Sequence, residues 1–170
     1  MTLPGAPHVA YRADELFLEG CALGELARRF GTPLYAYSRT AMLDALAGYQ
    51  RALAGRDHLI CYAMKANSSL AVLQTFAGAG CGFDIVSGGE LERVLAVGVP
   101  ASKIVFSGVG KTRAEMRRAL AMGVMCFNVE SEAELEVLSR VAVETGTTAS
   151  VSLRATPTWT PAPTPIFRPA

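Results

Sequence analysis

A pattern that repeats from residue 58 to residue 153 constrains this chain more than any other feature. A short apolar run, a turn, an amphipathic stretch and a glycine stop are followed by the next apolar run. The apolar runs fall at 58–64, 82–86, 103–107, 124–128 and 149–153. Between them, Leu70, Leu73, Phe76 and Ala77 share one helical face, as do Leu91, Val94 and Leu95, then Met116, Ala119 and Leu120, then Leu135, Leu138 and Val141. The stops are Gly78-Ala79-Gly80, Gly98 with Pro100 just beyond, Gly123 and Gly146, as helix C-termini favour. Short apolar runs bounded by turn residues read as strands buried on both faces, and the intervening helices would cover them. Alternation of this kind builds an α/β fold with a parallel sheet, either doubly wound or closed as a barrel, and periodicity alone does not choose. About five strands and four helices are legible, just over half of an eight-fold barrel. Ser87-x-x-Glu90, Thr112-x-x-Glu115 and Ser131-x-x-Glu134 each predict a capping box.

Ahead of this pattern the signals are weaker. Glu15 to Gly20 predicts a short strand, Leu23 to Phe30 a brief helix stopped by Gly31, and Pro33-Leu34-Tyr35-Ala36-Tyr37 a strand. From Arg39 to Leu53, the spacing of Met42, Leu43, Leu46, Tyr49 and Leu53 predicts a helix ended by Gly55. With 51% hydrophobic and 18% charged residues, the chain belongs with globular proteins. A formal net charge of +1 offers no basic field for nucleic acid. No apolar run has the length of a membrane span, and the first residues lack the charged-then-apolar signature of a signal peptide. Cys21, Cys61, Cys81 and Cys126 have no metal-ligand spacing. They read as reduced thiols, mostly buried and inert, which fits a cytoplasmic setting.

In parallel sheets, ligands bind beyond the carboxyl ends of the strands. Lys65 stands at that end of the run 58–64. A lysine partly desolvated there would be available as a free amine for imine chemistry; a solvated strand-end lysine is the alternative. Asp84 lies inside an apolar strand, where a carboxylate needs a partner. It faces either a barrel interior, close to Lys65, or the helices. Glu90 is a capping residue near the same end. Gly88-Gly89 opens a helix and either holds an anion on free N–H groups or makes an ordinary tight turn. Gly78 to Gly82 precedes a strand, so it fails as a dinucleotide loop. Lys111, in the loop Ser107-Gly108-Val109-Gly110-Lys111, reads as a solvated surface charge. Arg154 ends the last strand at the same face and either binds an anion or is structural. His8 and His58 have no partners at catalytic spacing.

Four segments taken together, Tyr62-Ala63-Met64-Lys65-Ala66-Asn67, Gly82 to Leu91, Val105 to Lys111 and Phe127-Asn128-Val129-Glu130-Ser131-Glu132, closely resemble the diaminopimelate decarboxylase family. Gly31-Thr32-Pro33-Leu34-Tyr35 resembles that family's lead-in. The similarity runs from about residue 10 to Arg154. It implies a pyridoxal 5'-phosphate (PLP) enzyme of the alanine-racemase-type barrel group, here an incomplete PLP-binding (β/α)8 TIM-type barrel without its later strands and C-terminal β-domain. The resemblance implies that Lys65 is the catalytic residue that condenses with the cofactor's aldehyde. It places Asp84 and Arg154 near the cofactor and Glu90 in a supporting position, with no metal. The implied reaction takes an amino-acid substrate, meso-2,6-diaminopimelate, to L-lysine and carbon dioxide. The family is homodimeric, though dimerisation of an incomplete barrel is not expected to persist.

The resemblance stops after Arg154. Residues 155–170 carry Pro157, Pro161, Pro163, Pro165 and Pro169 and the chain's only tryptophan, Trp159. No helix or strand pattern survives such proline density. Written in GC-rich codons and read two bases on from Ala155, this tail spells Asn-Pro-Asp-Val-Asp-Ala-Gly-Thr-His-Pro-Tyr-Ile-Ser-Thr-Gly, the text with which the family continues. Trp159 permits only TGG, and its shifted reading fits. The expectation is a base lost after the Arg154 codon, and DNA sequence across that codon tests it; a proline-rich linker is the alternative. The chain thus divides into a lead-in and flanking helix (1–57), a partial barrel (58–154) and a disordered, out-of-frame tail (155–170). An isolated chain of this kind is expected to be inactive. Two other readings stand: a related barrel amino-acid decarboxylase or racemase, and a non-catalytic fragment that binds PLP or a full-length subunit.

Overall fold

A computed structural model describes residues 5–155. The tail from residue 156, with its reading as disordered and out of frame, lies outside the described residues. The N-terminal part is an antiparallel sheet of β1 (Val9–Arg12), β2 (Glu15–Leu18) and β3 (Cys21–Ala22), followed by α1 (Leu23–Phe30) and α2 (Arg39–Ala52). The expected strand near residue 15 and helix 23–30 are both present. His8 Nε2 lies 3.3 Å from Asp44 Oδ2, joining the segment ahead of β1 to α2.

From there the chain alternates without exception. β4 (Cys61–Ala63), α3 (Leu70–Gly78), β5 (Gly82–Ile85), α4 (Gly88–Ala96), β6 (Ile104–Phe106), α5 (Arg113–Met122), β7 (Cys126–Val129), α6 (Glu132–Thr145) and β8 (Val151–Leu153) follow in order. The five strands are parallel, and their order in the sheet is their order in the chain. A doubly wound sheet reverses direction at a switch point. This sheet never reverses, which is the topology of a barrel wall.

One face of β5, β6 and β7 meets the helices. Phe83, Ile85, Ile104, Phe106, Phe127 and Val129 are buried there against Leu73, Leu91, Val94, Met116, Leu138 and Val141. Each such side chain contributes about 1.5–3 kcal/mol when fully buried. The rings of Phe106 and Phe127 stack at 5.9 Å between centroids. Because side chains alternate along a strand, this core turns Asp84, Asn128 and Ser152, and Ser107 just past β6, to the opposite face. Gly82 lies on that face where strands approach closely: a Cβ there would stand 2.6 Å from the Lys103 carbonyl oxygen and 2.9 Å from Cys61 Sγ.

Some local expectations are corrected. The run 58–64 is strand only from Cys61 to Ala63, and Met64–Ala66 form a 3-10 turn. Residues 33–37 form no strand. Their apolar side chains stand in solvent, with Tyr35 84% exposed, and a β-prone stretch without a neighbour to pair with gains nothing from extension. Of the three capping boxes only Thr112 with Glu115 is reciprocal. Ser87 and Ser131 do accept from the N–H of Glu90 and Glu134. The glutamates reach one residue further back, to the N–H of Val86 and of Glu130. On β8, the last strand of the sheet, Val151 and Leu153 are exposed, because no described helix covers them.

Candidate functional site

The carboxyl ends of β4 to β8 form one wall of an open cavity of about 520 Å³. Each strand delivers its residues through the alternation just described. Lys65 comes from the turn after β4, and Asp84 and Val86 from β5 and its end. Ser107, Gly108 and Val109 follow β6; Asn128 and Glu130 come from β7 and its end; Ser152 and Arg154 come from β8 and its end. Sequence-predicted Lys65, Asp84 and Arg154 thus line one cavity. Glu90 does not line it. Its carboxylate accepts the Val86 N–H at 2.7 Å, at the start of α4.

Asp84 faces the cavity, half-buried, and finds its partner across the strands. The Ser107 hydroxyl donates to Asp84 Oδ1 at 2.5 Å, and Asn128 Nδ2 donates to Ser107 Oγ at 2.8 Å. An amide N–H can only donate, so the serine proton is directed to the aspartate. A carboxylate on this inner face is therefore held by a charge-assisted bond. Ser107 and Asn128 carried no role in the sequence reading. The signal was available: both are polar residues at the ends of apolar strands, in phase with Asp84.

Arg154 Nη1 donates to both carboxylate oxygens of Glu130, at 3.3 and 3.0 Å. Glu130 is largely buried and Arg154 largely exposed. Glu130 Oε1 also accepts the Gly108 N–H at 3.4 Å. Sequence reasoning missed Glu130 as the partner that orients Arg154. Lys65 is exposed rather than desolvated. Among the described residues its amine has no hydrogen-bond or ion-pair partner, because only one side of the cavity is walled.

Lys111 is the clearest reversal. It is not a solvated charge: its side chain is 0% exposed. The ammonium donates to the carbonyls of Gly108 and Asn128 and to Glu134 Oε1, at 2.6, 2.8 and 2.7 Å. All three protons are used, which is what a buried ammonium requires. The Gly88-Gly89 turn is the ordinary kind at its first residue. The Gly88 N–H goes to Glu115 Oε1 at 2.7 Å, so it is not free for an anion. That bond, with those from Thr112, holds the Glu115 carboxyl below the usual carboxylate range. Burial pushes the Cys61, Cys81 and Cys126 thiols up, and Asp84 adds to the effect at Cys61 and Cys126. Thiols of this kind are poor nucleophiles.

An open amine, a carboxylate and a guanidinium around a cavity of ligand size suit an aldehyde-bearing anionic cofactor. The donor set contains no cluster of His, Cys, Asp or Glu able to hold a metal among the described residues.

Comparison with known proteins agrees with this geometry. Residues 40–166 match the family model described as pyridoxal-dependent decarboxylase, pyridoxal binding domain. The chain is 61% identical over 148 residues to diaminopimelate decarboxylase of Pseudomonas aeruginosa, which covers 87% of this chain and 36% of the relative. It is 55% identical over 148 residues to that of Vibrio cholerae, covering 86% and 36%. The crystal structure of diaminopimelate decarboxylase from M. jannaschii in complex with L-lysine superposes with a TM-score of 0.84 at 36% identity, over 89% of this chain and 36% of that one. The chain thus spans about a third of the length of these relatives. By the family match and by a barrel wall that sets an amine, a carboxylate and a guanidinium around one cavity, this chain belongs to the pyridoxal-dependent decarboxylases, matching their pyridoxal-binding domain over residues 40–166.

Proposed function

We propose that the cavity is one wall of a diaminopimelate decarboxylase active site, acting on meso-2,6-diaminopimelate to give L-lysine and carbon dioxide. The observation that carries this reading is the convergence of Lys65, Asp84 and Arg154 on a single cavity in a chain 61% identical to such an enzyme over most of its length. Pyridoxal 5'-phosphate, when bound, supplies the electron-accepting ring that decarboxylation needs.

Lys65 Nζ would hold the cofactor through its aldehyde, and the same nitrogen would carry a proton at the reacting carbon. Asp84, held through Ser107 and Asn128, offers a carboxylate to the same cavity as that amine. Arg154, oriented by Glu130, offers a guanidinium to an anionic group in the cavity. The same reading divides the chain into a lead-in (1–57) and a barrel wall (58–154) and puts the protein in the cytoplasm; the resemblance implies a homodimeric family, but this incomplete barrel is not expected to hold a dimer. The four cysteines are free, and no described helix is long and apolar enough to cross a membrane.

Borohydride reduction of the chain mixed with pyridoxal 5'-phosphate, followed by peptide mass mapping, tests the site. The mass of the reduced cofactor is expected on Lys65, and its appearance only on other lysines defeats the assignment. Turnover of diaminopimelate by the 170-residue chain is expected to be undetectable, because an exposed Lys65 leaves the reacting atoms open to water.

A further inference from the structure

The buried Lys111 ammonium takes no part in the chemistry assigned to the cavity, yet it sits where two parts of the cavity wall meet. The two carbonyls it holds, of Gly108 and Asn128, belong to the segments that carry the chain of bonds from Asn128 through Ser107 to Asp84. Gly108 directly follows Ser107, and Asn128 itself donates to Ser107. Gly108 has a φ of +98°, which glycine adopts freely, so its own backbone does not fix the loop and contacts from outside it must. A compact ammonium reaches three acceptors in three directions, which a planar guanidinium does not.

We propose that Lys111 is a positioning residue. By gathering the Gly108 and Asn128 carbonyls on one nitrogen, it sets the spacing between the end of β6 and the end of β7. That spacing keeps the Ser107 hydroxyl within reach of both Asn128 and Asp84. The consequence for cofactor capture rests on the reading of Lys65 given above; the positioning itself does not.

A role confined to neutralising Glu134 makes different predictions. Lys111→Met leaves Glu134 buried without its cation, whereas Lys111→Met with Glu134→Gln removes both charges and is expected to regain much of the lost stability. Positioning predicts that side-chain amide exchange at Asn128 stays about tenfold faster than in the parent in both variants, since the local bonds open more often. It also predicts slower reductive capture of pyridoxal 5'-phosphate at Lys65. Glu134→Gln alone, which retains the lysine and its two carbonyls, is expected to leave Asn128 exchange near the parent value. Parent-like exchange in the double variant overturns the proposal. So does a Glu134→Gln variant as loose at Asn128 as Lys111→Met. If the parent captures no cofactor, the Lys65 reading fails, while Asn128 exchange still decides the role of Lys111.

Discussion

Ser107 donates its hydroxyl proton to Asp84 Oδ1 at 2.5 Å across two adjacent strand ends, and this bond joins the barrel wall to the chemistry of the cavity. Its direction is set one strand further on, by Asn128. Ser107→Ala leaves both an aspartate oxygen and an amide N–H without that partner. A loss of about 1–3 kcal/mol is expected, read as a lowered urea midpoint at unchanged slope. An unchanged midpoint would show that water replaces the hydroxyl at no cost.

Lys65 makes no comparable structural contribution. Its side chain is exposed and has no polar partner among the described residues. Lys65→Ala is expected to shift stability by less than about 0.5 kcal/mol and to abolish covalent capture of pyridoxal 5'-phosphate at the cavity. Calorimetry and peptide mapping on one preparation separate the two effects.

Glu115 predicts a pH dependence. Its carboxyl is lowered by the N–H groups of Gly88 and Thr112, so the folded state favours the ionised form. The resulting stability is complete above the ordinary carboxylate value and is lost as pH falls through the lowered one. Glu115→Gln is expected to flatten the acid limb of the stability curve below about pH 4.5, with little change in its shape near neutrality. Denaturant titrations of both proteins across that limb check the sign.

Gly82 has no room for a side chain. A Cβ would stand 2.6 Å from a backbone oxygen of the loop that leads into β6 and 2.9 Å from Cys61 Sγ. Backbone cannot swing aside as a lysine tip can, so Gly82→Ala is expected to cost about 1–3 kcal/mol. The measurement is the thermal midpoint, with Gly78→Ala, where nothing lies within contact, as the control.

Much of this protein was legible before any coordinates. The apolar runs at 82–86 and 103–107 and the glycines after each helix specify strand, helix and stop through short-range physics: period, capping and φ preference. That Lys65, Asp84 and Arg154 line one cavity follows from what was read: two residues at strand ends, a carboxylate inside an apolar strand, and the resemblance. Tertiary structure decided what depends on contacts distant in the chain. The unreversed strand order chose a barrel wall. The 23-residue reach from Lys111 to Glu134 turned an apparent surface charge into a buried one. The pairing of Glu130 with Arg154 and the path from Asn128 to Asp84 also cross between strands. Local sequence determines which face a residue takes along its own strand, but the neighbour it meets there is set only when separate strands come into register.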